Sequence, residues 1–545
     1  MNSATPAVVL PDWHQLSLAQ QVAQLVVVRS SGFLFDHQIR YPQWEASGET
    51  LHYWVAEVGV GGVILLGGST AEISLRTQQL QSWATVPLLI CADVEEGVEQ
   101  RFSGATWFPP PMALGAIARR HPHQAVHYAE QMGLITAQES LAIGLNWLLA
   151  PVVDVNNNPA NPVINVRAFG ETPDVVSLLT TAFIRGARQH PVLTTAKHFP
   201  GHGDTTIDSH LELPVLFHSP ERLAQVELPP FQSAIAAGVD AVMTAHLLIP
   251  AWDHDWPATL SPPILTGKLR QQLGFQGLIV TDALVMGAIA DRYGADEAAV
   301  LAVAAGADIV LMPADPVMAI EAISHAVQTG RIPLERLHAS LERIWQAKAR
   351  VTTKLQAAGS TTPASSFHSS PLTLQPCWPT PVAAILKDSM QVHRPEPSRL
   401  EQSRWANHRR NLIVVDDGLN CKEVGHWTPA IALPRQQGYS LQLVDRHTPP
   451  LVLTTDAQPW QPTLLQLFIR GNPFRNSAGM TTLVQDWFQF LRDTDALMAL
   501  VIYGSPYILE DLTAELPADV PYVFTYGQMP AAQAIALAEL LQPQR

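Results

Sequence analysis

The stretch 197–210, KHFPGHGDTTIDSH, holds three histidines, a lysine and two aspartates in fourteen residues. Pro200, Gly201 and Gly203 forbid a helix through its middle, so it reads as a loop. Asp208 and His210 stand two apart, near enough on a loop tip to pair. A carboxylate beside an imidazole fixes its tautomer and steadies the imidazolium, which makes a proton shuttle near neutral pH. The plainer alternative is a polar surface loop with hydrogen-bonded histidines. Lys197 and His198 open the stretch. A lysine there can form a Schiff base, but its neighbours do not require one.

Asp282 ends the apolar run of GLIVTDALVMGAI. It is either the N-cap of a helix starting near Ala283 or Leu284, or a carboxylate nucleophile held on a rigid strand end. Asp93 faces the same choice, its functional version being an acceptor for ligand hydroxyls. Glu95, Glu96 and Arg101 follow it on the next loop. Arg167 serves either in an ion pair or as a donor to an anionic or amide-bearing ligand.

The elements that must position these residues are short apolar runs at 24–28, 62–66, 88–92, 145–150, 193–196, 241–244, 278–281 and 308–312. Continuous runs suit parallel strands buried on both faces. Helical patterns lie between them at 123–142, 175–189 and 296–306. Eight such units in about 350 residues predict a (β/α)8 TIM barrel, with a doubly wound open sheet as the alternative. Barrels carry chemistry on the loops after the strands, and that is where these polar residues collect. A helix at 334–351 closes the barrel, so residues 1–352 form the catalytic unit. Residues 353–380, rich in Ser, Thr and Pro, read as a linker. Residues 381–545 read as a smaller α/β sandwich domain. Its apolar runs lie at 411–415, 441–444, 451–455, 496–504 and 521–527, and a helix at 531–541 closes it.

Composition narrows the function. The chain has 545 residues, of which 47% are hydrophobic, enough for large cores. The 33 Lys+Arg against 48 Asp+Glu give a net charge of −15, which argues against a nucleic-acid or anionic-membrane partner. Cys91, Cys377 and Cys421 are too scattered for a disulfide framework or a metal cluster. The N-terminus lacks the pattern of a secretory signal, and no run of about 18 apolar residues occurs. The expected setting is cytoplasmic, with no membrane partner.

KHFPGHGDTTIDSH, followed by VTDALVMGAI, resembles glycoside hydrolase family 3, in its β-N-acetylglucosaminidase branch. Supporting matches are GGVILL, LLICADVEEGVEQR, APVVDVNNNPANPVINVRAFGE and PATLSPPILTGKLR. Together they cover roughly residues 10–350, and the tail resembles the sandwich domain of two-domain members. The resemblance implies that Asp282 is the nucleophile, His210 the general acid/base and Asp208 its partner. It also implies that Asp93, Arg101, Arg167, Lys197 and His198 hold the sugar and its N-acetyl group. Chemistry of this kind is retaining and passes through a glycosyl-enzyme, the two catalytic groups ordinarily lying about 5–5.5 Å apart. The implied substrate is a small carbohydrate with terminal β-linked N-acetylglucosamine, from short oligosaccharides or peptidoglycan fragments, as in peptidoglycan recycling. No cofactor or metal is implied, and the chain is expected to be a monomer or weak oligomer. The family's usual Asp-Gln-Glu-Gly-Gly-Arg-Val-Gln-Arg is here Asp93-Val94-Glu95-Glu96-Gly97-Val98-Glu99-Gln100-Arg101, with Val98 in place of an arginine. A β-glucosidase of the same family, a phosphorolytic variant and a binding protein without turnover are alternatives. So is a metal-dependent barrel hydrolase using His198, His202, His210, His246 and Asp282.

Overall fold

The computed structural model describes residues 10–42, 44–209, 212–357, 380–401, 408–419, 421–449, 461–470 and 481–541. Two compact units make up the chain. The first takes in 1–107, 123–158 and 168–373; the second takes in 108–122, 159–167 and 374–545.

In the first unit the eight apolar runs become β1 (Val26–Ser31), β2 (Gly62–Leu66), β3 (Leu89–Ala92), β4 (Trp147–Leu148), β5 (Thr195–Phe199), β6 (Ala241–Thr244), β7 (Leu278–Val280) and β8 (Val310–Leu311). Strands β4-β3-β2-β1-β8 form one parallel sheet and β5-β6-β7 another. Parallel bridges between Trp147 and Leu193, and between Val280 and Ile309, join the two sheets. The cycle therefore closes in chain order, as in a (β/α)8 barrel. Strands β3, β5 and β6 are buried at every position. That explains the apolar runs of β3 and β6, because helices cover the outer face while side chains fill the inside; β5 buries Lys197 and His198 as well.

The helices lie close to their predicted places, at Pro122–Ala142, Pro173–Ala187, Ala295–Ala305 and Leu334–Ala357. At the end opposite the strand-end loops, just before β8, Asp308 is fully buried. It pairs with Arg270 at 2.7 Å and with Arg336 and Arg343 at 3.1 Å. It also accepts from the Ile279 N–H at 3.0 Å. Three arginines around one carboxylate tie the last helices to the β7–β8 edge. Burial pushes the Arg270 guanidinium down to about 10, against the pull of Asp308, and at that value it stays charged at neutral pH.

The second unit is a six-stranded sheet of β9 (Gln391–His393), β10 (Arg410–Val414), β11 (Ser440–Val444), β12 (Thr463–Ile469), β13 (Leu497–Gly504) and β14 (Tyr522–Thr525). Its order is β11-β10-β12-β13-β14-β9. All neighbours are parallel except β9, which runs antiparallel to β14. The predicted run at 451–455 lies outside the described residues, as does most of the predicted linker. Strand β12 was not anticipated, because Gln466 interrupts its apolar pattern. The fold buries that glutamine and satisfies it. Its Nε2 donates to Asn411 Oδ1 and to the Ala430 carbonyl at 2.7 Å, and its Oε1 accepts from the Tyr503 hydroxyl at 2.9 Å.

Candidate active site

The register of β5 against β6 shifts between Lys197 and Phe199, leaving His198 as an extra residue. Consecutive side chains of a regular strand point to opposite faces; a bulge re-aims one of them. Lys197 is 1% exposed, with its Nζ 2.6 Å from Asp93 Oδ1 and 2.7 Å from Glu95 Oε1. A lysine clamped by two carboxylates is kept charged, so the Schiff-base alternative fails: that chemistry needs a neutral amine. The Asp93 side chain is 29% exposed whereas Glu95 is 3%. Of the two carboxylates, Asp93 is the one a ligand hydroxyl can reach. Burial pushes the Asp93 carboxyl up, but Lys197 and Arg101 outweigh it and hold it below the usual range. Arg101 Nε also donates to the Asp93 carbonyl at 3.0 Å.

His198 Nδ1 lies 2.8 Å from Asp154 Oδ2. The same carboxylate accepts from the His198 N–H at 3.2 Å and from the His202 N–H at 2.7 Å. Burial acts to raise Asp154, yet His198 and His202 draw it below the ordinary carboxylate range. It is therefore an anion that fixes the His198 ring and anchors the loop beyond it. Gly203 lies flat against that anchor, since a Cβ there would come 1.8 Å from the Val155 carbonyl oxygen.

Both ring nitrogens of His202 are engaged, Nδ1 with Thr205 Oγ1 at 2.9 Å and Nε2 with Ser209 Oγ at 2.8 Å. The Thr205 hydroxyl donates to the His202 carbonyl at 3.2 Å. Its oxygen thus accepts from Nδ1–H, and Nε2 is left to accept from Ser209. This neutral ring clasps the loop on either side of Asp208, which is wholly buried. Burial lowers the His202 pKa to about 4, against the opposing pull of Asp154. A histidine with a depressed folded pKa favours folding above its unfolded value of 6.5 and loses that contribution as pH falls toward 4. The difference corresponds to about 3 kcal/mol. In His202→Gln, stability measured by denaturant unfolding is expected to fall less steeply between pH 6.5 and 4. An identical slope in parent and variant would remove this titration as the cause.

Asp282 follows β7, with Oδ1 accepting from the Ala283 N–H at 2.8 Å. The next helix is Gly287–Tyr293, capped at Met286, so Asp282 is no N-cap and that alternative falls. His246, after β6, steadies the same turn: its Nε2 lies 3.1 Å from the Ala283 carbonyl and its Nδ1 2.8 Å from Thr259 Oγ1. A carbonyl only accepts, so His246 Nε2 carries a proton. Asp282 is near enough to His202 to act on its titration, which places the nucleophile candidate and the clasped loop on one rim.

The fold thus gathers Asp93, Arg101, Lys197, His198, Asp208 and Asp282 at the strand ends of the barrel unit. Arg167 lies in the second unit, in the 3-10 turn Asn165–Arg167, where its Nη1 donates to the Val163 carbonyl at 2.9 Å. His210 lies outside the described residues. Glu95 and Asp154 were not among the expected site residues, and His202 was expected only as a ligand in the metal-dependent alternative. Glu95 had a sequence signal, standing two after Asp93 at a strand end. Val98 is fully buried, so this position contributes packing and not a contact to a ligand. The metal-site alternative does not fit this geometry, because both nitrogens of His202 and of His246 are taken by protein partners. Among the described residues no cluster of His, Cys, Asp and Glu could hold a metal ion.

Residues 17–347 match the Glycosyl hydrolase family 3 N terminal domain. The chain belongs to glycosyl hydrolase family 3. Residues 402–542 match the Bacterial Glycosyl hydrolase family 3 C-terminal domain, so this is a two-domain, glycoside-cleaving member. Beta-hexosaminidase A of Pseudoalteromonas piscicida is 35% identical over 428 residues, 69% of each chain. A beta-hexosaminidase of Stenotrophomonas maltophilia is 37% identical over 279 residues, 50% of this chain and 82% of that one. The solved family 3 beta-N-acetylglucosaminidase of Paenibacillus sp. str. FPU-7 is 31% identical with a TM-score of 0.74, over 96% of both chains. Among the described residues, no helix is long and apolar enough to cross a membrane.

Proposed function

We propose that this chain is a retaining, exo-acting β-N-acetylglucosaminidase that removes terminal β-linked N-acetylglucosamine from short oligosaccharides. The observation that carries the reading is the shared rim. Asp282 stands at the β7 end beside a loop that holds Asp208 against the barrel, and Asp93 offers an exposed oxygen backed by buried Lys197. Likeness to the Paenibacillus enzyme over nearly the whole chain supports the same substrate class.

In this mechanism Asp282 attacks the anomeric carbon while His210, steadied by Asp208, gives its proton to the leaving oxygen. The glycosyl-aspartate is then hydrolysed by a water that His210 deprotonates, so two inversions leave the β configuration. Asp93 and Arg101 take ring hydroxyls. A short Asp-x-His loop suits a histidine acid, because its conformation decides when the imidazole reaches the bond.

The test compares turnover of 4-nitrophenyl N-acetyl-β-glucosaminide with that of the β-glucoside, following the released sugar by proton NMR. The expected result is a clear preference for the N-acetyl sugar, with β-N-acetylglucosamine as first product. Preference for the glucoside would overturn the substrate assignment, and an α product would overturn the retaining mechanism.

A further inference from the structure

Asp204 is the aspartate of 197–210 that the proposed reaction does not use. Its Oδ2 lies 2.8 Å from His218 Nε2 and 3.4 Å from Arg222 Nη2. His218 stands on the returning limb of the same loop, and Arg222 belongs to the helix Pro220–Gln225 that follows. Arg222 is anchored in turn, its Nη1 pairing at 2.7 Å with Glu227, which is buried. Gly201, on the outgoing limb, lies flat against that anchor, since a Cβ there would come 2.7 Å from Glu227 Cγ. The returning limb is also fastened to the barrel. The Leu216 N–H donates to the Leu248 carbonyl at 2.9 Å, and the Leu248 N–H to the Pro214 carbonyl at 3.0 Å. Leu248 itself follows β6.

The pair of Asp204 with His218 therefore joins the outgoing limb to the returning one. Asp208 and His210 fall in the stretch of chain that it encloses. Tying the ends of a loop removes conformations from the residues between them. The Asp204 side chain is 22% exposed and that of His218 30%, and ion pairs so open to water add little to global stability. The tie thus bears on where the enclosed residues stand more than on whether the barrel folds. A general acid must lie within hydrogen-bond reach of the oxygen it protonates. A misplacement of about 1 Å costs up to about 10²-fold in rate.

We propose that Asp204, His218 and Arg222 form a positioning neck, which sets the placement of the Asp208–His210 pair for proton transfer to the leaving oxygen. Each of the three acts through the loop and none through a contact with the sugar. The assignment rests on the proposed glycosidase reading, in which His210 is the acid.

The experiment measures kcat/KM of the full chain on phenyl and on 2,4-dinitrophenyl N-acetyl-β-glucosaminide. Asp204→Ala, Asp204→Asn, His218→Ala and His210→Ala are assayed in parallel. Dinitrophenolate departs without a proton whereas phenolate needs one, so the placement of the acid is felt on the phenyl sugar. Asp204→Ala and His218→Ala, which break the pair from either side, are expected to lose about tenfold on the phenyl sugar. Both should stay within about twofold of the parent on the dinitrophenyl sugar. Asp204→Asn keeps an oxygen for the His218 ring and should recover most of the loss. A general loosening of the fold would depress both substrates alike. Equal losses on the two substrates, or no loss on either, in the folded alanine variants overturns the neck. His210→Ala separates the two readings. If it loses activity selectively on the phenyl sugar and the neck variants do not, the neck falls and the acid stands. If His210→Ala shows no such selectivity, the acid assignment falls and the neck with it.

Discussion

Asp282→Gly is expected to lower kcat on 4-nitrophenyl N-acetyl-β-glucosaminide by about 10⁴-fold, equivalent to about 5.5 kcal/mol of barrier. The argument is geometric. Asp282 follows a fully buried strand, and its turn is held by its own bond to the Ala283 N–H and by His246 on the Ala283 carbonyl. A nucleophile fixed in this way is near its attacking position before substrate arrives, and its loss removes the covalent route altogether. Azide added to the glycine variant should restore turnover and yield the α-glycosyl azide, because a small anion attacks once from the vacated face. Rescue without that product, or a variant that keeps a tenth of parent activity, would place the nucleophile elsewhere.

Lys197→Met is expected to cost about 3–5 kcal/mol of stability at neutral pH, the range for removing one partner of a buried ion pair. Asp93 and Glu95 would then face each other without the ammonium that sits 2.6 and 2.7 Å from them. The pH dependence gives the sign. In the parent, Asp93 has a lowered pKa, so its contribution is present above its unfolded value and is lost as pH falls through the folded one. In the variant the two carboxylates repel, and protonating one of them relieves the strain. The gap between parent and variant in denaturant unfolding should thus be widest near pH 7 and shrink toward pH 4. A gap that is small, or independent of pH, would mean that the lysine's role is packing alone.

These experiments bear on different layers of one arrangement. Asp282 would do chemistry, Lys197 would orient the Asp93 carboxylate proposed to meet the sugar, and His202 clasps the loop on either side of Asp208. The three sit on the ends of β7 and β5 and on the loop after β5. The far end of the barrel carries the Asp308–arginine cluster instead, where three cations share one buried carboxylate. The barrel unit thus separates the rim proposed to react from a stabilising base.

Much of this was legible along the chain. Each of the eight barrel strands overlaps one of the apolar runs, because strands buried on both faces favour apolar residues and leave that mark locally; β1 and β5 run on past theirs into Arg29–Ser31 and Lys197–His198. The positions of Asp93 and Asp282 just after strands follow directly, as does the loop character of 200–209, which its proline and glycines dictate; Lys197 and His198, expected on the loop, instead lie within β5 (Thr195–Phe199). In the second unit, β12 escaped notice because a buried glutamine can be recognised only once Asn411, Ala430 and Tyr503 surround it. The choices that the residues left open were settled by contacts between parts far apart in sequence. Lys197 is an ion-pair cation because strand β3 brings Asp93 and Glu95 to it across 104 and 102 positions. Asp282 is no helix cap because the next helix begins only at Gly287. His202 is a neutral clasp and no metal ligand because burial lowers its pKa to about 4 and two hydroxyls take its nitrogens. Residue type and spacing determined which groups could react and on which loops they stand. Tertiary structure alone decided their charge, partners and exposure, because those depend on what desolvates each group and which opposite charge the fold brings within reach.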